Sequence, residues 1–196
     1  FVRALQVTVV AVNPARKKAI VENSTARPRR KVKRARSQAS VEGMFDMIDL
    51  SGKQGLVVGV ANKRSISWAI AQAADRAGAR LALTYVNARL ERNVRKLAAT
   101  LTQPPLVLEC DVAQDQQIEA VAASLEQEFG GLDFLVHGVA FAPREAITQP
   151  FLETTREDFQ VALDISTYSF VALTRAAAPL MVRRGGGSLL TLTYLG

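Results

Sequence analysis

The stretch LVVGVANKRSISWAI, residues 56–70, contains the residue types with the most recognisable chemistry. An apolar run ends at Gly59, polar residues follow, and a helical pattern begins at Ser65. A glycine lets the backbone turn sharply after a strand, and a hydroxyl and N–H at a helix N-terminus favour an anion. Ala69 and Ala73 are small enough for the helix to pack closely on a sheet. The stretch therefore predicts a phosphate-binding turn, although the usual G-x-G-x-x-G glycines are missing; a loop without ligand is the alternative.

A second candidate for ligand binding is Asp111, which directly follows the apolar run LVLEC. Open α/β sheets bind ligands at the carboxyl ends of their strands. We therefore expect the Asp111 carboxylate to face a ligand. The alternative is structural, with Asp111 capping the helix that is predicted to begin near Asp115.

His137 and Cys110 are the only residues of their types in the chain. We expect His137 to be a packed residue at a strand end rather than an acid or base, and Cys110 to be a buried apolar residue. One cysteine cannot form an internal disulfide, which favours a reducing compartment. We expect no metal site.

Apolar runs of strand length alternate with helix-length segments from Gln54 onward. The predicted strands are 55–60, 80–85, 106–110, 134–137 and 188–192, and the predicted helices are about 66–77, 90–101, 115–129 and 155–181. Strands that are apolar throughout are buried on both faces, and helical crossovers make neighbouring strands parallel. The sequence therefore predicts a doubly wound, Rossmann-like α/β fold.

The net charge of +7 is concentrated at one end, since residues 1–43 hold 11 of the 25 Lys and Arg but 2 of the 18 acidic residues. We expect residues 1–46 to be a basic, disordered extension that folding does not need, and 47–196 to be an α/β domain that is incomplete at its carboxyl side. Three interpretations of the extension are open: a transit peptide, a nucleic-acid arm, or sequence upstream of a start at Met44 or Met47. We favour the last. The protein is then expected to be cytoplasmic, or plastidic if the extension is a transit peptide.

Six segments carry a resemblance to a known family: GVANKRSISWAIA, LTYVNARL, CDVAQD, VHGVAFAP, LDISTYSF and TLTYLG, in this order. Together they resemble the NADH-dependent enoyl-[acyl-carrier-protein] reductases, a divergent branch of the short-chain dehydrogenases/reductases. The similarity covers about residues 49–196 and corresponds to the N-terminal portion of that family. Mainstream short-chain reductases carry T-G-x-x-x-G-x-G and N-N-A-G instead, and this chain has neither.

The resemblance implies a cofactor site. In it, Gly59, Ser65 and Ile66 would hold the phosphates, while Asp111 and Val112 would bracket the adenine. The backbone of Val139 would contact the cofactor, and Val86 stands where bacterial members often have Gln. The implied cofactor-binding set is Gly59, Ser65, Ile66, Val86, Asp111, Val112 and Val139.

The resemblance also implies a catalytic and a substrate-contacting residue. Tyr194 matches the first of two active-site tyrosines of the family, and Ala142 matches a position that contacts substrate. The second tyrosine and its lysine, in a Tyr-x6-Lys arrangement, are expected beyond Gly196, so the chain as given is expected to be inactive. We interpret Asp164 and Tyr168 as buried polar residues of a packed helix.

The resemblance implies reduction of a trans-2-enoyl thioester, carried on acyl carrier protein, with NADH. NADPH is not excluded, because Arg89 and Arg92 follow the second predicted strand. A homotetramer is implied for the full-length protein, with no membrane or nucleic-acid partner. Three alternatives stay open: a mainstream carbonyl reductase or dehydrogenase, a catalytically dead homologue, and a basic-tailed nucleic-acid-binding protein.

Overall fold

A computed structural model of the protein describes residues 5–12, 20–21 and 48–194. The strands are β1 (Leu5–Val12), β2 (Ile20–Val21), β3 (Gln54–Val58), β4 (Arg80–Tyr85), β5 (Leu106–Glu109), β6 (Phe134–His137) and β7 (Gly187–Tyr194). The helices are α1 (Ile66–Arg76), α2 (Ala88–Ala98), α3 (Asp115–Phe129), α4 (Arg144–Thr148), α5 (Arg156–Leu163) and α6 (Ser169–Arg183). Phe151–Glu153 forms a 3-10 turn, and Asp164–Tyr168 forms a π turn that joins α5 to α6.

The described strands form one sheet in the order β2-β1-β7-β6-β3-β4-β5. The five strands from β7 to β5 run parallel to one another. The chain moves outward from β3 to β4 and β5, then returns to β6 on the other side of β3. This reversal places the topological switch point between the carboxyl ends of β3 and β6, as in a doubly wound fold, so the predicted architecture is confirmed.

Part of the N-terminal extension is a strand, which differs from the expected disorder. β1 runs antiparallel to β7, from Leu5 opposite Tyr194 to Val12 opposite Gly187. The run LQVTVVAV is rich in β-branched valine, and β7 offers an open edge of backbone groups for it to pair with. The predicted boundary at residues 46 and 47 lies outside the described residues.

Two apolar cores lie on opposite faces of the sheet. On one face, α3 and α6 pack on the side chains of Leu56 and Leu135. On the other, α1 and α2 pack on Val57 and on strand β4. Leu56 and Val57 are adjacent in sequence and both at most 2% exposed, because successive side chains of a strand point to opposite faces. A sheet buried on both faces is the rigid base that positions its edge loops.

The long helical stretch predicted at residues 155–181 is interrupted by the π turn. Asp164 and Tyr168 are exposed, Tyr168 by 45%, so their interpretation as buried polar residues is wrong. They lie on the outward face of the stretch, whereas Ala172 and Leu173 face the core. Among the described residues, the stretch Arg156–Arg183 is the one helical segment with the length and composition to cross a membrane, and 33% of its apolar window is buried. Core helices of soluble proteins commonly meet the same two criteria.

Candidate functional site

A crevice of about 420 Å³ opens at the carboxyl ends of β3, β4, β5 and β6. It lies at the switch point, where doubly wound sheets bind ligands. Five residues of the predicted cofactor set line it, namely Gly59, Val86, Asp111, Val112 and Val139. The structure therefore brings together residues that lie as far as 80 positions apart in sequence.

Gly59 is the pivot of the turn that follows β3. Its φ angle of +95° is one that residues with a side chain rarely adopt, and a Cβ at this position would overlap the carbonyl oxygen of Gly138. Gly138 follows β6, so the two loops cross in direct backbone contact. Only a glycine fits this crossing, which explains why one glycine of the usual fingerprint is retained here.

Ser65 organises the turn in a way that differs from the prediction. Its hydroxyl oxygen accepts hydrogen bonds from the N–H groups of Ala61 and Asn62, both at 3.1 Å. Its own N–H donates to the carbonyl of Asn62 at 3.0 Å, so that N–H is already used within the turn. The hydroxyl hydrogen remains to be donated. Ile66 begins α1 directly afterwards, where N–H groups have no partner within the helix.

Asp111 forms a tight turn rather than the helix cap of the alternative interpretation. One carboxylate oxygen accepts from the N–H of Ala113 at 3.0 Å, and the side chain of Gln117 accepts from the Asp111 N–H at 2.7 Å. The residue before α3 is Gln114, so the cap position belongs to a different residue. The Asp111 carboxylate keeps further lone pairs with which to accept from a ligand.

Cys110 and His137 are buried, as predicted, and both are held in their neutral forms. Burial, with a smaller contribution from the Asp111 charge, raises the pKa of the Cys110 thiol to about 11. Burial likewise lowers the pKa of His137 to about 4. The imidazole lies 2.8 Å from the Ser169 hydroxyl and 3.2 Å from that of Thr191. A neutral, fully packed imidazole is a structural link between β6, α6 and β7.

Two residues outside the predicted set hold the walls of the crevice. Ser67 is 1% exposed and donates its hydroxyl to the carbonyl of Val58 at 3.1 Å. Ser166, in the π turn, donates to the carbonyl of Phe141 and accepts from its N–H, both at 3.0 Å. Sequence periodicity gave no signal for either contact, because both depend on which loops meet in space.

Four predicted site residues lie outside the lining of the crevice: Ser65 and Ile66, at the turn before α1, and Ala142 and Tyr194. Ala142 is partly buried and follows Phe141, which does line it. Tyr194 ends β7, three residues beyond Thr191, which pairs with His137 at the end of β6. Its backbone therefore reaches the same carboxyl edge of the sheet, and its role stays a prediction.

A larger groove, about 860 Å³, lies on the face of the sheet that α1 covers and is mainly apolar. Ile70 and Ala73 of α1 form one wall and Leu190 of β7 another. None of the predicted site residues lies in it, and its charged side chains, Lys53 and Asp133, bond to each other at 3.1 Å. Size alone therefore does not identify the site; the convergence of polar groups at the strand ends does. In the part of the chain that is described, no three His, Cys, Asp or Glu side chains are grouped to hold a metal ion.

Comparison with known proteins agrees with this geometry. The family model described as Enoyl-(Acyl carrier protein) reductase matches residues 59–196. The enoyl-[acyl-carrier-protein] reductase [NADH] of Aquifex aeolicus is 45% identical over 147 residues, which are 75% of this chain and 54% of that protein. The corresponding protein of Bacillus subtilis is 45% identical over 148 residues, with 75% and 57% covered.

Solved structures give the same result. The Bacillus cereus enoyl-acyl carrier protein reductase, solved with NADP+ and indole naphthyridinone, superposes with a TM-score of 0.66 at 45% identity, over 69% of this chain and 53% of that one. The Aquifex aeolicus enzyme gives 0.65 at 45% identity, over 67% and 52%. The chain thus spans a little over half the length of these relatives. Because the family model matches well over half of its residues, the chain belongs to the enoyl-(acyl-carrier-protein) reductase family.

Proposed function

We propose that the protein reduces trans-2-enoyl groups, carried on acyl carrier protein, with NADH, and that the described residues supply the cofactor site. The observation that carries this proposal is the convergence of Gly59, Asp111 and Val139 in one crevice at the switch point, in a chain of this family. The chain spans a little over half the length of its relatives from Aquifex aeolicus and Bacillus subtilis. Both are named enoyl-[acyl-carrier-protein] reductase [NADH].

The residues of the crevice fit an adenine dinucleotide. The Ser65 hydroxyl and the first N–H groups of α1 would receive the phosphates, because the N-terminus of a helix favours an anion. The walls include Val112 and Val139, which offer apolar contact to a flat ring, and the Asp111 carboxylate can accept a hydrogen bond from it. We propose NADH over NADPH, because the relatives are named as NADH enzymes. Val86 and Asn87 directly follow β4, and Asn87 caps α2.

Tyr194 would act on the substrate. When bound, NADH would supply a hydride for the β-carbon, and negative charge would gather on the thioester oxygen until the α-carbon takes up a proton. A hydroxyl donated to that oxygen stabilises the enolate more than the ground-state thioester, which lowers the barrier. Ala142, beside the Phe141 loop that lines the crevice, would contact the acyl group.

We further propose that the full-length protein is a cytoplasmic homotetramer. Support for an oligomer comes from large apolar side chains on the outward face of α5 and α6, where Phe159, Leu163 and Val171 are 60%, 45% and 49% exposed. Leu163 and Val171 line one groove, and exposed apolar patches are typical of protein interfaces. Support for a reducing compartment is the single, buried Cys110. Sedimentation of the purified protein would test the assembly.

A direct test of the function is NADH oxidation by the full-length protein with two thioesters of acyl carrier protein. We expect turnover with a trans-2-enoyl chain and none with a 3-oxoacyl chain of the same length. Turnover with the 3-oxoacyl chain alone would identify a mainstream carbonyl reductase instead. Binding of NADH without any turnover would identify a catalytically inactive homologue.

A further inference from the structure

Three segments meet at one point beneath the crevice. They are the end of β3 at Val58 and Gly59, the first turn of α1 at Ser67, and the residue after β6, Gly138. The carbonyl of Val58 accepts two hydrogen bonds there, from the Gly138 N–H and from the Ser67 hydroxyl, both at 3.1 Å. Ser67 is 1% exposed, so its hydroxyl is used inside the protein rather than by a ligand.

The packing at this point leaves no room for a second side chain. A Cβ at Gly138 would overlap the Ser67 hydroxyl oxygen and would lie 3.2 Å from the Val58 carbonyl oxygen. Gly138 does not have a positive φ angle, so its backbone conformation does not require glycine. Glycine is required because the Ser67 hydroxyl occupies the space that a Cβ at residue 138 would need.

We propose that Ser67 is a positioning residue for the cofactor site, and that it works as a pair with Gly138. The inference rests on the proposed function of the crevice. Residue 67 fills the space between the loop after β3 and the loop after β6, and so sets how far apart the two walls stand. Gly59 lies against both residues, because a Cβ at Gly59 would overlap the Gly138 carbonyl and would lie 3.2 Å from the Ser67 hydroxyl oxygen.

The pair predicts a specific pattern of rescue. Gly138→Ala should weaken NADH binding roughly tenfold, the size that coupling between contacting residues commonly reaches, because the added methyl group pushes the β6 loop away from Ser67. Ser67→Ala alone should have a smaller effect, since the Val58 carbonyl keeps the Gly138 N–H. In the double variant Ser67→Ala with Gly138→Ala, most of the lost affinity should return, because the methyl group then occupies the space of the removed hydroxyl.

The experiment is calorimetric titration of NADH into the full-length wild type and these three variants, with the melting temperature of each. Ser124→Ala is the matched control, because its hydroxyl also donates to a backbone carbonyl, that of Ala120 in α3, and Ser124 does not line the crevice. Rescue of NADH affinity in the double variant supports the proposal. Equal affinity in all variants, or a double variant as weak as Gly138→Ala, overturns it. Wild-type protein that does not bind NADH would instead contradict the proposed function, and the pairing would fall with it.

Discussion

Ser65 and Ser67 are two residues apart and hold different parts of the same site. The Ser65 hydroxyl gathers the N–H groups of the turn, whereas the Ser67 hydroxyl reaches back to the end of β3. Residue type and position suggested Ser65 from the sequence, because a hydroxyl before a helix is a recognisable signal. Ser67 lies inside the helix, where serine carries no such signal, and its role follows only from what it touches.

Tyr194 is the residue on which the proposed chemistry depends. Tyr194→Phe removes the hydroxyl but keeps the ring, so we expect kcat for the enoyl thioester to fall by about 100-fold while NADH affinity stays unchanged. Tyr168→Phe, on the exposed face of the π turn, is the control and should keep full activity. An unchanged kcat in Tyr194→Phe would remove this residue from the mechanism.

His137 should make the stability of the protein depend on pH. Its pKa is about 4 in the folded protein, because burial disfavours the charged imidazole, and about 6.5 in an unfolded chain. As the pH falls from 6.5 towards 4, the unfolded chain takes up a proton that the folded protein excludes. Stability should therefore fall with pH in this window, by up to about 1.4 kcal/mol per pH unit.

The measurement is the free energy of unfolding of wild type and His137→Gln between pH 4.5 and 7.5. Since His137 is the only histidine, and both proteins keep the same carboxylates, the difference in slope reports this imidazole. The variant should show the flatter dependence. Parallel curves would show that His137 is not held neutral by burial.

At the scale of elements, the sequence predicted most of the parallel sheet. The bounds of β4, β6 and α3 agree with prediction, because burial on both faces and helical periodicity are local signals. β1 was missed because pairing with β7 joins residues more than 170 positions apart. The π turn was missed because its neighbours in sequence all favour an ordinary helix, and only the contact of Ser166 with the Phe141 loop shows what it does.

The π turn should matter more for substrate than for cofactor. Ser166→Ala removes both hydrogen bonds to Phe141 and loosens the loop that carries Ala142. We expect KM for the enoyl thioester to rise several-fold, as a lost hydrogen bond of about 1 kcal/mol implies, with a smaller change for NADH. Thr174→Ala, whose hydroxyl bonds within the same helix to Phe170, is the control. Equal effects of the two variants would argue against a special role for the π turn.

At the scale of the whole molecule, the carboxyl and amino ends of the parallel strands have different roles. The carboxyl edge carries the crevice, and the amino edge carries an ionic network around Asp133. Its carboxylate accepts from Lys53 at 3.1 Å, from the Gln54 N–H at 2.9 Å and from Arg184 at 3.0 Å. These bonds join β3, β6 and α6. Burial alone would raise the pKa of Asp133, but the hydrogen bonds outweigh it and leave the pKa lowered.

Asp133→Asn should therefore reduce stability without affecting the crevice. We expect a loss of about 1–3 kcal/mol at neutral pH, where the carboxylate is charged. Because the folded pKa is below the unfolded value of about 3.9, the stabilisation is present above that value and disappears as the pH falls through the folded pKa. Denaturant unfolding measures the loss, and NADH affinity should be unchanged. The control is Glu126→Gln, at an exposed pair with Arg183, which should cost less; a larger loss there would contradict this role of the amino edge.

The measurement that tests the cofactor site most directly is NADH titration of Ser65→Asp against Ser65→Asn. Both side chains can accept the two N–H bonds that Ser65 accepts from Ala61 and Asn62, so the turn is kept in each. They differ in one negative charge, placed where the phosphates are proposed to bind. We expect Ser65→Asp to bind NADH at least about tenfold more weakly than Ser65→Asn, a difference that added salt should reduce. Equal affinities of the two variants would contradict a phosphate site at this turn.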